Sequence, residues 1–190
     1  MPSANVPPTP ARLSRRAALA SGVAVTLACA LAPRRLLAAP PGPRQIVLHN
    51  THTQESLTSE YWRDGQYSPA SMASIEQLLR DHRNGAVHWI DPNLLDLLCA
   101  AAERSGRDAE FEVISGYRSP ASNAAMHARS AGVAAHSLHM QGRAIDVRLV
   151  GCESARLRDA GLALGRGGVG FYAGLQFVHL DTGRVRSWAG

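Results

Sequence analysis

The chain has 190 residues, room for one domain with a sizeable core, and 45% of them are hydrophobic, which is ordinary for a globular protein. All 20 basic residues are Arg, so Schiff-base, P-loop and Ser-Lys chemistries are excluded. The formal net charge of +5 is concentrated at the start: Arg12, Arg15, Arg16, Arg34 and Arg35 precede the first acid, Glu55, and the remainder is close to neutral, with no footprint for nucleic acid. Residues 1–38 read as an export signal. Ser14-Arg15-Arg16 stand before an uncharged apolar run, Ala17 to Ala32, of about 16 residues, short of the roughly 20 that cross a bilayer. Small residues at Ala38 and Ala39 complete the secretory pattern, and the Arg pair favours the twin-arginine route over general secretion. Cleavage after Ala38 is expected, with an uncleaved anchor or a lipidated Cys29 as alternatives. The expected location is the periplasm, with membrane contact only through the signal. Cys99 and Cys152 remain after cleavage, and either a disulfide or buried free thiols fit an oxidising compartment.

Residues 39–45 are a Pro-rich linker, and 46–190 are expected to form one domain. Ile46 to Leu48 predict a strand. Asp64-Gly65, between Tyr61-Trp62 and Gln66-Tyr67, predicts a hairpin turn. Ser68-Pro69 opens a helix expected to run to about Asn84-Gly85. Asp91-Pro92 opens a second, ending at Ser105-Gly106, and Ser119-Pro120 a third, reaching about Arg129. Phe111 to Ser115 and Gly142 to Val150 predict strands, Ser154 to Leu164 a fourth helix, and Gly168–Tyr172 and Phe177–Leu180 two closing strands. Helices gather early and strands late, which favours an α+β class. Trp62, Trp89 and Trp188 are expected in the core.

Three residues carry a metal pattern. His139 stands seven residues before Asp146, on a loop leading into a strand, with Gly142 to turn the backbone between them. His179 and Asp181 are two apart on a strand and so share a face. Two imidazoles and a carboxylate make a catalytic zinc set that leaves the fourth position to water.

The motif Ser137-Leu138-His139-Met140-Gln141-Gly142-Arg143-Ala144-Ile145-Asp146, with the late Phe177-Val178-His179, resembles the zinc D-Ala-D-Ala peptidases and the lysostaphin-type murein metallopeptidases. Further runs bring it closer to the YcbK-like murein endopeptidase branch: Asn50 to Leu57, Ile114 to Ser119, Gly167 to Tyr172 and Phe177 to Gly183. The resemblance spans residues 46 to 188. It implies a small antiparallel sheet bearing the zinc site with helices packed on it, as in the hedgehog and D-Ala-D-Ala peptidase fold. It implies one Zn2+ per chain on His139, Asp146 and His179, and peptidoglycan as the partner. The activity implied is murein endopeptidase, with an L,D- or D,D-carboxypeptidase as its near relative. Arg118, in Ser-Gly-Tyr-Arg-Ser, is implied to steady the substrate carbonyl.

One position departs from the carboxypeptidase pattern. The general-base Glu three residues before the last zinc His is Gln176 here, which cannot take a proton. Asp181 and His136 are the candidate bases, and Asp181 is equally read as a partner that orients His179. Gln176 also supports a rival reading, a peptidoglycan-binding domain that keeps the fold and zinc without catalysis. A glycosidase would need paired carboxylates across a groove, and Glu110 and Glu112 flank a strand start instead.

Overall fold

The computed structural model describes residues 42–130 and 132–190. The expected export signal and the first linker residues lie outside the described residues. Arg44 and Gln45, expected in the linker, already pair in the first strand.

Eight strands form one sheet: β1 (Arg44–Asn50), β2 (Ser56–Arg63), β3 (Gln66–Tyr67), β4 (Glu110–Ser115), β5 (Ala144–Leu149), β6 (Gly168–Tyr172), β7 (Phe177–Asp181) and β8 (Arg186–Ala189). Their order is β3-β2-β1-β4-β5-β7-β6-β8. Four helices accompany them: α1 (Pro69–Leu78), α2 (Pro92–Arg104), α3 (Pro120–His127) and α4 (Ser154–Leu164). The α+β class stands, but the small antiparallel sheet is corrected. The sheet has eight strands, and two pairings, β1 with β4 and β6 with β8, are parallel. Between β1 and β4 the chain passes through the β2–β3 hairpin, α1 and α2, a connection long enough for a parallel return.

Local chemistry sets the element ends. Asp64 (φ 51°) and Gly65 (φ 85°) are both left-handed, the requirement of the tight turn joining β2 to β3. Ser68, Asp91 and Ser119 cap α1, α2 and α3, accepting from the amides of Ser71, Asn93 and Ser122, each with Pro at the helix start. Each cap is worth about 1 kcal/mol. Helix α1 stops at Leu78, short of the expected Asn84-Gly85. The Asn50 side chain donates to the Leu78 carbonyl (2.9 Å), and the Tyr117 amide takes the Leu79 carbonyl (2.8 Å). Those carbonyls are no longer open to a further helical turn. Asp81 then accepts from the Arg83 and Ser119 amides and turns the chain away.

The core lies on one face of the sheet. Ile46, Leu48, Phe111, Val113, Ile145, Val147, Val178 and Leu180 are all at most 1% exposed and join Leu94, Leu95 and Leu98 of α2 and Leu157 of α4 in one apolar cluster. Burying each such side chain contributes roughly 1.5–3 kcal/mol. Strand alternation sends Asp146, His179 and Asp181 to the opposite face. They are nonetheless buried, so β5 and β7 are covered on both sides. Cys99 and Cys152 are free thiols. Trp62 packs against the core as expected, whereas two tryptophans depart from expectation: Trp89 is 53% exposed and Trp188 lines a cavity.

Candidate active site

Pairing register builds the site as rows across four strands. Asp146 on β5 pairs with His179 on β7, His179 with Gly170 on β6, and Gly170 with Trp188 on β8. The adjacent row holds Ala144 against Asp181, and Gly168 against Arg186. The glycines of β6 leave the space through which β8 reaches the site. A Cβ at Gly170 would lie 2.6 Å from the Trp188 indole, and one at Gly168 would collide with the Asp181 carboxylate and the Arg186 guanidinium.

His139 comes from outside the sheet, on a 3-10 turn over Leu138–Gln141. Ser137 caps that turn, and Gly142 closes it at φ 64°. Gly142 packs so closely on the Trp89 carbonyl that any Cβ would overlap it. The His139 carbonyl accepts from the Arg118 amide (3.2 Å), tying the turn to the end of β4.

The donor atoms converge. His139 Nε2 lies 3.2 Å from His179 Nδ1 and 3.4 Å from an Asp146 oxygen, and His179 Nδ1 lies 2.8 Å from the same carboxylate. Zn–N and Zn–O bonds of about 2.0–2.1 Å give a tetrahedral edge of roughly 3.3 Å, so the three atoms fit one face of a zinc tetrahedron. The ring tautomers agree. His139 Nδ1 is 2.8 Å from the Gly116 carbonyl, which only accepts, so Nδ1 carries the proton. His179 Nε2 is 3.1 Å from Asp181 and donates to it. Both remaining lone pairs thus face a buried carboxylate, a set that a cation satisfies.

The electrostatics follow. Burial lowers the pKa of His139. Burial would raise the Asp146 carboxyl, but His139 and His179 outweigh it and hold that group far below the ordinary range. Burial would lower His179, but hydrogen bonds to Asp146 and Asp181 win and raise it.

A cavity of about 500 Å³ opens onto this centre. Arg118, His136, His139, Asp146 and His179 all line it. Arg118 is 7% exposed, yet its Nε has no partner among the described residues, its Nη1 lies a long 3.4 Å from Asn123, and its Nη2 lies 3.8 Å from Asp146. It keeps donors unspent. His136 is exposed on a loop that Asn123 anchors through the Ala134 and Ala135 carbonyls.

Asp181 is elsewhere. It does not line the cavity but sits behind His179, fully buried. Besides His179, it accepts from the Gly168 and Gly183 amides and from both terminal nitrogens of Arg186. Gln176 also stays out of the cavity wall, in a left-handed conformation with its amide on the Ala173 carbonyl. Sequence reasoning missed Tyr172, Arg186 and Trp188, which line the cavity. Tyr172 closes a strand that the sequence predicts but carries no local mark of a role, and Arg186 and Trp188 lie on β8, which no local pattern announces.

The sequence matches, over residues 38–188, a protein family described as peptidoglycan L,D-endopeptidase MepK. It is 38% identical over 177 residues to the peptidoglycan L,D-endopeptidase MepK of Escherichia coli K12, covering 92% of this chain and 97% of that protein. It is also 38% identical over 169 residues to a Haemophilus influenzae protein described as "Probable peptidoglycan L,D-endopeptidase MepK", covering 87% of this chain and 91% of that one. No solved structure matches the chain.

Proposed function

The chain belongs to the peptidoglycan L,D-endopeptidase MepK family, and we propose that it is an exported, zinc-dependent member that cuts peptide cross-links at the His139, Asp146 and His179 centre. It is a murein endopeptidase, and the L,D bond named for its relatives is the one assigned to it. The observation that carries the zinc reading is the convergence of two imidazole lone pairs on one buried carboxylate. When bound, zinc polarises a carbonyl and brings the pKa of its water toward about 7.

The chain's own residues do the rest. His136 accepts the proton of the attacking water. Supporting this, it is the one histidine in the cavity wall, among the described residues, that is not a candidate ligand, and imidazole is the side chain best suited to proton transfer near neutrality. Arg118 directs its unspent N–H groups to the carbonyl oxygen as negative charge develops there, a contribution of roughly 3 kcal/mol. Asp181 keeps the His179 proton on Nε2 and is a positioning residue. Five donors already occupy its two oxygens, which leaves it no part in proton transfer.

Digestion of purified sacculi by the mature domain, followed by muropeptide chromatography, tests the reading. Cross-linked dimers should fall to monomers, chelator should stop the conversion, and His136→Gln should slow it by about 10²–10⁴-fold with zinc retained. Binding without cleavage would identify the non-catalytic rival.

A further inference from the structure

Seven titratable side chains line the cavity: Arg118, His136, His139, Asp146, Tyr172, His179 and Arg186. Three are the candidate ligands, Arg186 is committed to Asp181, and His136 and Arg118 have roles above. Tyr172 remains, a phenol in the wall of the same cavity with no assigned task.

Its surroundings hold it in place. Tyr172 ends β6 and pairs with Phe177, two residues along from the Gly170–His179 pair, so its ring stands on the same sheet face as His179. The ring stacks on Phe177 at 4.5 Å between centroids, which fixes its plane. The Trp188 indole fills the space over Gly170, 5.1 Å from the His179 ring, and its Nε1 donates to the Tyr172 hydroxyl at 3.1 Å. One indole therefore spans the distance from the ligand His179 to the phenol oxygen.

The hydrogen-bond inventory then orients the proton. A tyrosine hydroxyl donates one bond and accepts others. The indole N–H can only donate, so it takes an acceptor site on the phenol oxygen. Among the described residues no protein acceptor takes the phenol proton. That proton is free to point into the cavity, on the wall shared with Arg118.

We propose that Tyr172 is a further catalytic residue: its hydroxyl, aimed by Trp188, donates a hydrogen bond to the scissile carbonyl oxygen as it becomes an oxyanion. No bond to Tyr172 forms and its proton stays on the phenol; the group stabilises developing charge together with Arg118. Trp188 is its positioning residue. The proposal rests on the peptidase reading above.

The test uses the mature, zinc-loaded enzyme and a purified cross-linked muropeptide dimer. Tyr172→Phe keeps the ring stack and deletes only the hydroxyl. The expected result is a kcat lower by about 10²–10³-fold, with KM within threefold, one zinc per chain and an unchanged melting temperature. Affinity for a non-hydrolysable phosphinate peptide, which carries tetrahedral oxyanions, should fall in parallel, while affinity for the product peptide should not. Trp188→Phe retains a ring over Gly170 but removes the N–H, and should lower kcat by a smaller factor than Tyr172→Phe. A Tyr172→Phe kcat within threefold of wild type overturns the proposal, as does a loss of zinc or a raised KM with kcat intact, either of which would mark a structural or ground-state role. A wild-type enzyme that does not cleave the dimer overturns the peptidase reading itself, and is told apart because it leaves no rate to compare.

Discussion

A carboxylate that transfers a proton needs an open lone pair and a path to the substrate, and Asp181 has neither. Asp181→Asn should therefore weaken zinc retention by about 10–100-fold, the usual effect of losing a partner that orients a ligand, and excess zinc should restore turnover; chelator competition reads the first and single-turnover hydrolysis the second. A lasting loss of turnover at saturating zinc would return Asp181 to proton transfer. Asp81 makes a separate forecast. Burial would raise its carboxyl, but hydrogen bonds led by Ser122 and Ser119 outweigh it and lower the pKa from 3.8 to about 2. A depressed carboxylate stabilises the fold fully above its unfolded value and loses that contribution as pH falls through the folded one. The stability difference between wild type and Asp81→Asn, on the order of 2 kcal/mol at pH 6, should thus shrink between about pH 4 and pH 2, as urea midpoints would show. At this scale much of the site was legible. The seven-residue spacing with Gly142 and the two-residue spacing on a strand drew attention to His139, Asp146, His179 and Asp181, and the structure brings their side chains together. The division of labour among them was not legible, because it depends on which ring nitrogen each carboxylate reaches.

Among the elements, β8 decides most. It is four residues long, alternates half-buried and exposed, and has no apolar stripe, so nothing local announces it. It exists because β6 offers it a free edge and glycines under its two large side chains. Gly170→Ala is the direct probe. The new Cβ meets the indole at 2.6 Å, so Trp188 should be displaced, with a changed tryptophan emission and a lower kcat while α2 and the core stay intact by circular dichroism. Unaltered fluorescence and kinetics would show that β8 yields without consequence. Helix α1 ends earlier than its sequence predicts for the opposite reason. The first local stop signal is Asn84-Gly85, but tertiary partners from Asn50 and Tyr117 claim the helix's last carbonyls, and those partners are distant in sequence. Both ends of helix α2 are legible in the sequence because Asp91, Pro92 and Ser105 act locally.

For the whole molecule, the arrangement separates support from chemistry. α2 and α4 pack on one face of the sheet, the site occupies the other, and β5, β6 and β7 contribute to both. Export follows from the proposal that the substrate is outside the cytoplasm. Mass spectrometry of the protein recovered from a periplasmic extract should begin near residue 39, and a full-length chain pelleting with membranes would favour the anchor reading instead. The central claim joins the metal centre to the bond it breaks. The measurement that tests it is a titration of metal-free mature enzyme with zinc, following release of monomers from a purified L,D-cross-linked muropeptide dimer. The expected result is no cleavage without metal, a linear rise that levels off at about one zinc per chain, and no activity at any zinc level in His139→Ala. Cleavage by the metal-free chain, or full activity in His139→Ala, would contradict it.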